Sequence, residues 1–292
     1  MKPEEKEILD KLQQARNDYL DQNFPRAIKT YHELVELLKD DEQNLPIIHI
    51  ELGWSYFFDQ QYDRAIEWLN KALNSNYLTI QQKFDCTRLI GFAYEMKEDY
   101  PQAKKYLLAS LDFDLPLTTK RYAYFELGKV YFMEADYLEA EHYLKPLLNI
   151  FRPVEPEYYY ALRYYLGFTA FFQKDLVRAR NLFEELIQQN TDTRHKVLGY
   201  FGLAHIHYQE EDYQALIDIC DKIMVMNPEF FDKETIAYFL AYAYVHTGDW
   251  ETAEMFFKEL EAQYPQGRYA SKYPFLRDSI AQRQISETNS RN

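Results

Sequence analysis

His205 and His207 are the first candidates for chemistry, since two imidazoles close in sequence can share a metal ion. On a helix, however, a separation of two turns them about 200° apart, so one ion cannot take both. Neither HExxH nor paired CxxC spacing occurs, and those are the patterns that build zinc sites. Gly199-Tyr200-Phe201-Gly202 carries two glycines but lies in a helical pattern, where they serve helix contact and form no phosphate cradle. Glu210-Glu211-Asp212 reads as a solvated turn, and no nucleophile stands with a base. The expectation is therefore no catalytic residue, no metal, no cofactor and no enzymatic activity.

The elements that would position any site announce themselves by recurrence. Ala27, Ala65, Ala103, Ala140, Ala179, Leu216 and Ala253 follow one another at gaps of 38, 38, 37, 39, 37 and 37 residues. Twelve residues before each stands a small side chain: Ala15, Gly53, Gly91, Gly128, Gly167, Ala204 and Ala241. A large one follows three later at Tyr56, Tyr94, Tyr131 and Tyr244, and Phe24, Tyr62, Tyr100, Tyr137, Leu176, Tyr213 and Trp250 precede the repeat residue by three. This reads as two amphipathic helices per repeat, joined by a polar turn such as Asp59-Gln60-Gln61 or Gln209 to Asp212. A period in this range marks stacked units, each of which leans on its neighbours to bury its apolar face.

The pattern resembles the tetratricopeptide repeat family from about Ile8 to Pro265. Its usual spacing is 34 residues, so each unit here carries about one extra helical turn, and longer helices are the expected use of it. The first repeat departs most, with Asp18 where tyrosine is expected, and the repeat-ending proline survives clearly as Pro228 and Pro265. The resemblance implies an all-α fold, a right-handed superhelical α-solenoid of about seven repeats with a C-terminal cap. The expected domain is a single solenoid over 1–283, with repeats near 5–40, 43–78, 80–116, 117–153, 156–192, 193–229 and 231–266. A cap helix over 268–283, covered by Tyr269, Tyr273, Leu276 and Ile280, and a disordered tail over 284–292 complete it. The connection from Asn149 to Pro156 reads as an ordinary turn between repeats, with a local hinge as the alternative.

In the family, the face formed by positions fifteen, eleven, eight and seven before the repeat residue lines a concave wall. Composition makes that face unusual, because the chain holds 27 tyrosines and 20 phenylalanines. The expected partner-binding wall comprises Trp54, Phe57 and Phe58 from the second repeat, Phe92 from the third, and Phe125 and Phe132 from the fourth. Tyr164, Tyr165, Phe168, Phe171 and Phe172 follow from the fifth, Phe201, His205 and Tyr208 from the sixth, and Tyr238, Phe239 and Tyr242 from the seventh. Adjacent first helices touch along part of this face, so core packing is the alternative reading for many of these rings. Where they are exposed, such surface marks contact with a partner, and the expected ligand is an apolar, aromatic-compatible segment of another protein, extended or helical. Some family members grip a C-terminal carboxylate with lysine, asparagine and arginine. Here Leu9, Gln13, Glu51, Asp85 and Leu89 occupy those places, and the two acids would repel it. His207 replaces the repeat tyrosine and reads as core.

Net charge is −14, from 47 acids against 33 bases. That disfavours nucleic acid and anionic membrane, both polyanions. The longest apolar run, Ile236 to Val245, is half of what a bilayer span needs, so no membrane insertion is expected. The charged Met1-Lys2-Pro3-Glu4-Glu5-Lys6-Glu7 start shows no signal peptide, and cytoplasmic residence is the default. Cys86, placed at a helix start, and Cys220, on a buried face, read as free thiols. The leading function is a non-enzymatic scaffold or adaptor. Self-assembly into a homo-oligomer is one alternative. A component of bacterial envelope assembly or secretion is another, suggested by the phrase from Phe256 to Ala270.

Overall fold

A computed structural model describes residues 3–151, 155–188 and 192–290. Fifteen α-helices and no strand occur among them. The chain divides into two compact units, Met1–Ile150 and Phe151–Asn292. The first unit contains α1 (Pro3–Leu20), α2 (Phe24–Leu37), α3 (Leu45–Phe58), α4 (Tyr62–Leu73), α5 (Ile80–Met96), α6 (Tyr100–Leu111), α7 (Leu117–Met133) and α8 (Tyr137–Leu144). The second contains α9 (Pro156–Phe172), α10 (Leu176–Gln188), α11 (Thr193–Glu210), α12 (Tyr213–Met226), α13 (Lys233–Thr247), α14 (Trp250–Gln263) and α15 (Tyr273–Ser290). Within each unit, every helix packs on the one that follows it.

The recurring small residues explain the pairing. A Cβ added to Gly53 would stand 2.7 Å from Leu69, one on Gly91 2.8 Å from Leu107, and one on Gly128 2.5 Å from Leu144. In each case the contact is the residue four after the repeat alanine, and in the fifth repeat Phe183 takes that slot against Gly167 at 2.5 Å. The repeat residues themselves, Ala27 through Ala253, are all fully buried. The two helices of a repeat thus approach along a seam with no room for a side chain on one side. The surplus length enters the first helices, since α5, α7 and α9 reach 17 residues and α1 and α11 reach 18.

The turn between paired helices follows one rule. Five residues before each repeat residue the backbone is left-handed, at Gln22, Gln60, Glu98, Ala135, Lys174, Glu211 and Gly248. The next N–H then reaches back to the carbonyl five residues earlier, as from Asp99 to Tyr94 and Asp249 to Tyr244, both at 3.0 Å, which satisfies carbonyls that the helix end leaves open. From the third repeat on, that next residue is aspartate, and Asp99, Asp136, Asp175, Asp212 and Asp249 each accept an N–H of the helix they start. Such a cap is worth about 1 kcal/mol. The turn in the sixth repeat is shorter than the sequence suggested, because α11 continues through Glu210.

Pro146 interrupts the rule. It lacks an N–H and crowds the preceding turn, so α8 stops at Leu144 and the chain tightens into a 3₁₀ segment, Lys145–Asn149. The unit boundary follows directly, within the connection read as an ordinary turn. In the second unit, a 3₁₀ turn at Ala270–Lys272 leads into α15, where Tyr273, Leu276 and Ile280 are buried. α15 continues to Ser290, across most of the stretch read as a tail; no glycine or proline stands there to stop it. Arg291 and Asn292 lie outside the described residues. Both cysteines are free and buried, with Cys86 seven residues into α5 instead of at a helix start.

Candidate partner-binding face

In the first unit, the first helix of each repeat supplies the wall. Trp54 and Phe58 on α3 stack with ring centroids 5.8 Å apart, and Phe57 sets its edge against both. Tyr19 of α1 and Phe24 of α2 close on Phe58 at 5.9 and 5.7 Å. Trp54, Phe58 and Tyr19, with Leu20 and Tyr31, wall an open cleft of about 420 Å³ whose polar side is Arg16 and Glu51. The Glu51 carboxylate accepts from the Arg16 guanidinium through both of its oxygens and from the Tyr31 hydroxyl. Burial, then that hydrogen bond, pushes the Tyr31 phenol up.

Further along, Arg88 of α5 lies among rings, 5.1 Å from Phe92, 5.6 Å from Phe84, 5.8 Å from Tyr122 and 5.9 Å from Trp54, and Asp85 pairs with it at 3.2 Å. Lys129 of α7 bridges two acids, Glu95 at 2.7 Å and Glu126. Burial, with repulsion from Glu126, pushes the Glu95 carboxyl up to about 8 despite the lysine. Burial works against the Lys129 charge, but the two carboxylates more than offset it and hold its pKa up. Phe125 is buried, and Phe132 meets Tyr137 edge-on.

The second unit is built around Phe168 of α9, which touches Tyr164, Phe171, Phe172, Phe183, Phe201 and His205 at 4.9 to 6.3 Å. Tyr165 sets its edge on Tyr164. The His205 Nδ1–H donates to the Phe201 carbonyl at 2.9 Å, which fixes the tautomer because that oxygen only accepts. Burial among these rings pushes the imidazole down to about 4, so it is neutral at ordinary pH. Tyr208 stacks on Phe239 at 4.6 Å and its hydroxyl meets that of Tyr238 at 3.1 Å. Tyr242 contacts Tyr208, and Tyr269 covers Tyr238 at 4.1 Å, held by Arg268 on Asp232 and by its own N–H on Glu234.

Six of the expected wall residues do not lie at the surface. Phe125, Phe168, Phe171, Phe201, Tyr238 and Phe239 are buried, because their side of the first helix meets the neighbouring first helices. Trp54, Phe57, Phe92, Phe132, Tyr164, Tyr165, His205, Tyr208 and Tyr242 are half-buried, while Phe58 and Phe172 are exposed. The offset decides this. Seven before the repeat residue, all seven side chains are exposed: Leu20, Phe58, Met96, Met133, Phe172, Gln209 and His246. Sequence reasoning missed Arg16, Tyr19 and Leu20, although Leu20 shares the offset of Phe58. Glu51 and Asp85, read as repelling a carboxylate, each hold an arginine. Asp18, in the tyrosine place, is buried and pairs with Arg26 at 3.3 Å.

The family model for the SusR N-terminal TPR domain matches residues 15–150, and a tetratricopeptide repeat model matches residues 238–267. The chain belongs to the tetratricopeptide repeat family. Its repeats also resemble solved structures. The apo form of RapI is 12% identical with a TM-score of 0.69, over 97% of this chain and 87% of that one. The apo form of the quorum sensor NprR from B. thuringiensis is 16% identical with a TM-score of 0.65, over 88% and 76%. The C-terminal part of a TPR repeat-containing protein from Cytophaga hutchinsonii is 19% identical with a TM-score of 0.60, over 89% and 98%. At these identities the likeness shows the fold alone, an all-helical tetratricopeptide solenoid. No curated protein matches significantly. Among the described residues, no helix of this tetratricopeptide protein is long and apolar enough to cross a membrane. The family's fold serves protein interaction in general.

Proposed function

We propose that the chain is a non-catalytic scaffold that captures a segment of a partner protein, and that the accessible aromatic surface of the first unit is where it does so. The observation that carries this is the cleft of about 420 Å³ beside Trp54 and Phe58. Its walls are mostly rings, and its polar side is an arginine already engaged by Glu51. Aromatic anchors in pockets dominate binding energy at protein interfaces. A photo-crosslinking side chain placed at position 58 in the native cell is expected to yield a defined protein adduct that Trp54→Ala abolishes. Adducts identical to those from Lys105, exposed on α6, would defeat the reading.

A further inference from the structure

Leu20, Phe58, Met96 and Met133 end the first helices α1, α3, α5 and α7, one per repeat, at 76%, 45%, 54% and 57% exposure. Four large apolar side chains at one equivalent position form a row that the described residues of the first unit leave exposed. We propose that this row binds an amphipathic helix of about 16 to 20 residues whose polar face is basic. The proposal rests on the scaffold reading above and names the chemistry of the partner.

Spacing selects a helix. Packed helices lie about 8–10 Å apart, and α3, α5 and α7 touch in succession, so the row presents an apolar knob at about that interval. Apolar residues seven apart on a helix recur every 10.5 Å or so, whereas same-face residues of an extended strand recur at about 6.6 to 6.8 Å. Three intervals of about 8–10 Å come to about 24–30 Å, which about 16 to 20 helical residues span. Two of the four knobs are methionines, whose flexible, polarizable side chains adapt to varied apolar surfaces.

Charge selects the sign. An acid follows each knob within two residues, as Asp21, Asp59, Glu98 and Glu134. Lys97, the base in this line, is held by Asp63. Residues 1–150 carry 26 acids against 18 bases. A lysine- or arginine-faced helix would meet these acids at the rim while its apolar stripe covers the row. In the second unit the same offset carries Phe172 and then the polar Gln209 and His246, so the apolar row belongs to the first unit.

The test is fluorescence anisotropy of dye-labelled 18-residue peptides with the full chain. One peptide has leucines at helical spacing with lysines elsewhere, a second replaces lysine by glutamate, and a third has the first composition in strict alternation. The lysine helix is expected to bind, with at least tenfold loss for Met96→Ser/Met133→Ser and for Asp21→Lys/Glu98→Lys, all four positions being exposed. Circular dichroism melts confirm that the variants fold. Equal binding of the three peptides, no binding, or unchanged affinity of the folded variants overturns the proposal. Concentration-dependent sedimentation that Met96→Ser/Met133→Ser abolishes assigns the row to a second copy, and also overturns it. If no peptide binds while the crosslink at position 58 persists, the scaffold reading stands and the basic helix falls. Loss of both removes both.

Discussion

Glu211 and Gly248, 37 residues apart, hold the same left-handed backbone, with φ of 59° and 84°, yet one is glycine and the other carries a side chain. The five equivalents, Gln22, Gln60, Glu98, Ala135 and Lys174, also carry side chains. Left-handed backbone costs an L-residue about 1–2 kcal/mol, and glycine adopts it freely. Part of that gain is offset by the greater freedom of glycine in the unfolded chain. Ala135→Gly and Glu211→Gly are each expected to raise stability by about 0.5–1 kcal/mol, and Gly248→Ala to lower it by about 1 kcal/mol. Urea melts of the three variants decide it; a destabilised Ala135→Gly would refute the account.

Gly199 is a different case. A Cβ there would stand 2.6 Å from the backbone carbonyl of Phe183, which cannot rotate away, whereas Gly53 meets a leucine side chain. Gly199→Ala is expected to force α11 off α10 and cost about 2–3 kcal/mol. A melt within about 0.5 kcal/mol of wild type would show that the two helices have slack.

Neighbouring phenylalanines separate structure from surface. Phe168 is 4% exposed and Phe172 is 42% exposed. Phe168→Ala is expected to lose about 3–5 kcal/mol, and Phe172→Ala about 1 kcal/mol or less. Similar losses at both positions, in the same denaturation experiment, would contradict the placement of α9.

Glu95 in the first unit and His205 in the second should contribute opposite pH dependences to stability. Glu95 titrates from an ordinary 4.5 to about 8 when folded. Between those values the folded chain keeps a proton that the unfolded chain releases, so stability falls as pH rises through the window. His205 moves from 6.5 to about 4. There the unfolded chain holds the extra proton, so stability falls as pH drops from about 6.5 to 4. His32, His49 and His246 shift in the same direction as His205, also mainly through burial. Glu95→Gln is expected to flatten the alkaline decline and His205→Gln to reduce the acidic one. Urea midpoints from pH 4 to 8 measure both, and a wild-type slope unaffected by either substitution would exclude these groups as its source.

The register of the fold was legible because the close contact between paired helices tolerates so few side chains that it leaves the same trace in every repeat. Gly53 and Ala65 mark a seam whatever surrounds them. The left-handed turn leaves no such trace, since glutamine, glutamate, alanine and lysine all occupy it and only Gly248 signals it. The wall was legible as a face but not as a surface. Phe168 and Phe172 are both aromatic and lie on one side of a helix, and only the position of the neighbouring helix buries one and spares the other. The cleft escaped notice because Arg16 and Glu51 are 35 residues apart and become a pair only when α1 and α3 are set side by side.

The exposed row has a modular consequence. Because each knob belongs to one repeat, gene duplication of a single repeat would lengthen the docking track by one side chain. The helix it accommodates would grow by about two turns, with no residue in the existing repeats altered. Partner length, in such an architecture, is an inherited count.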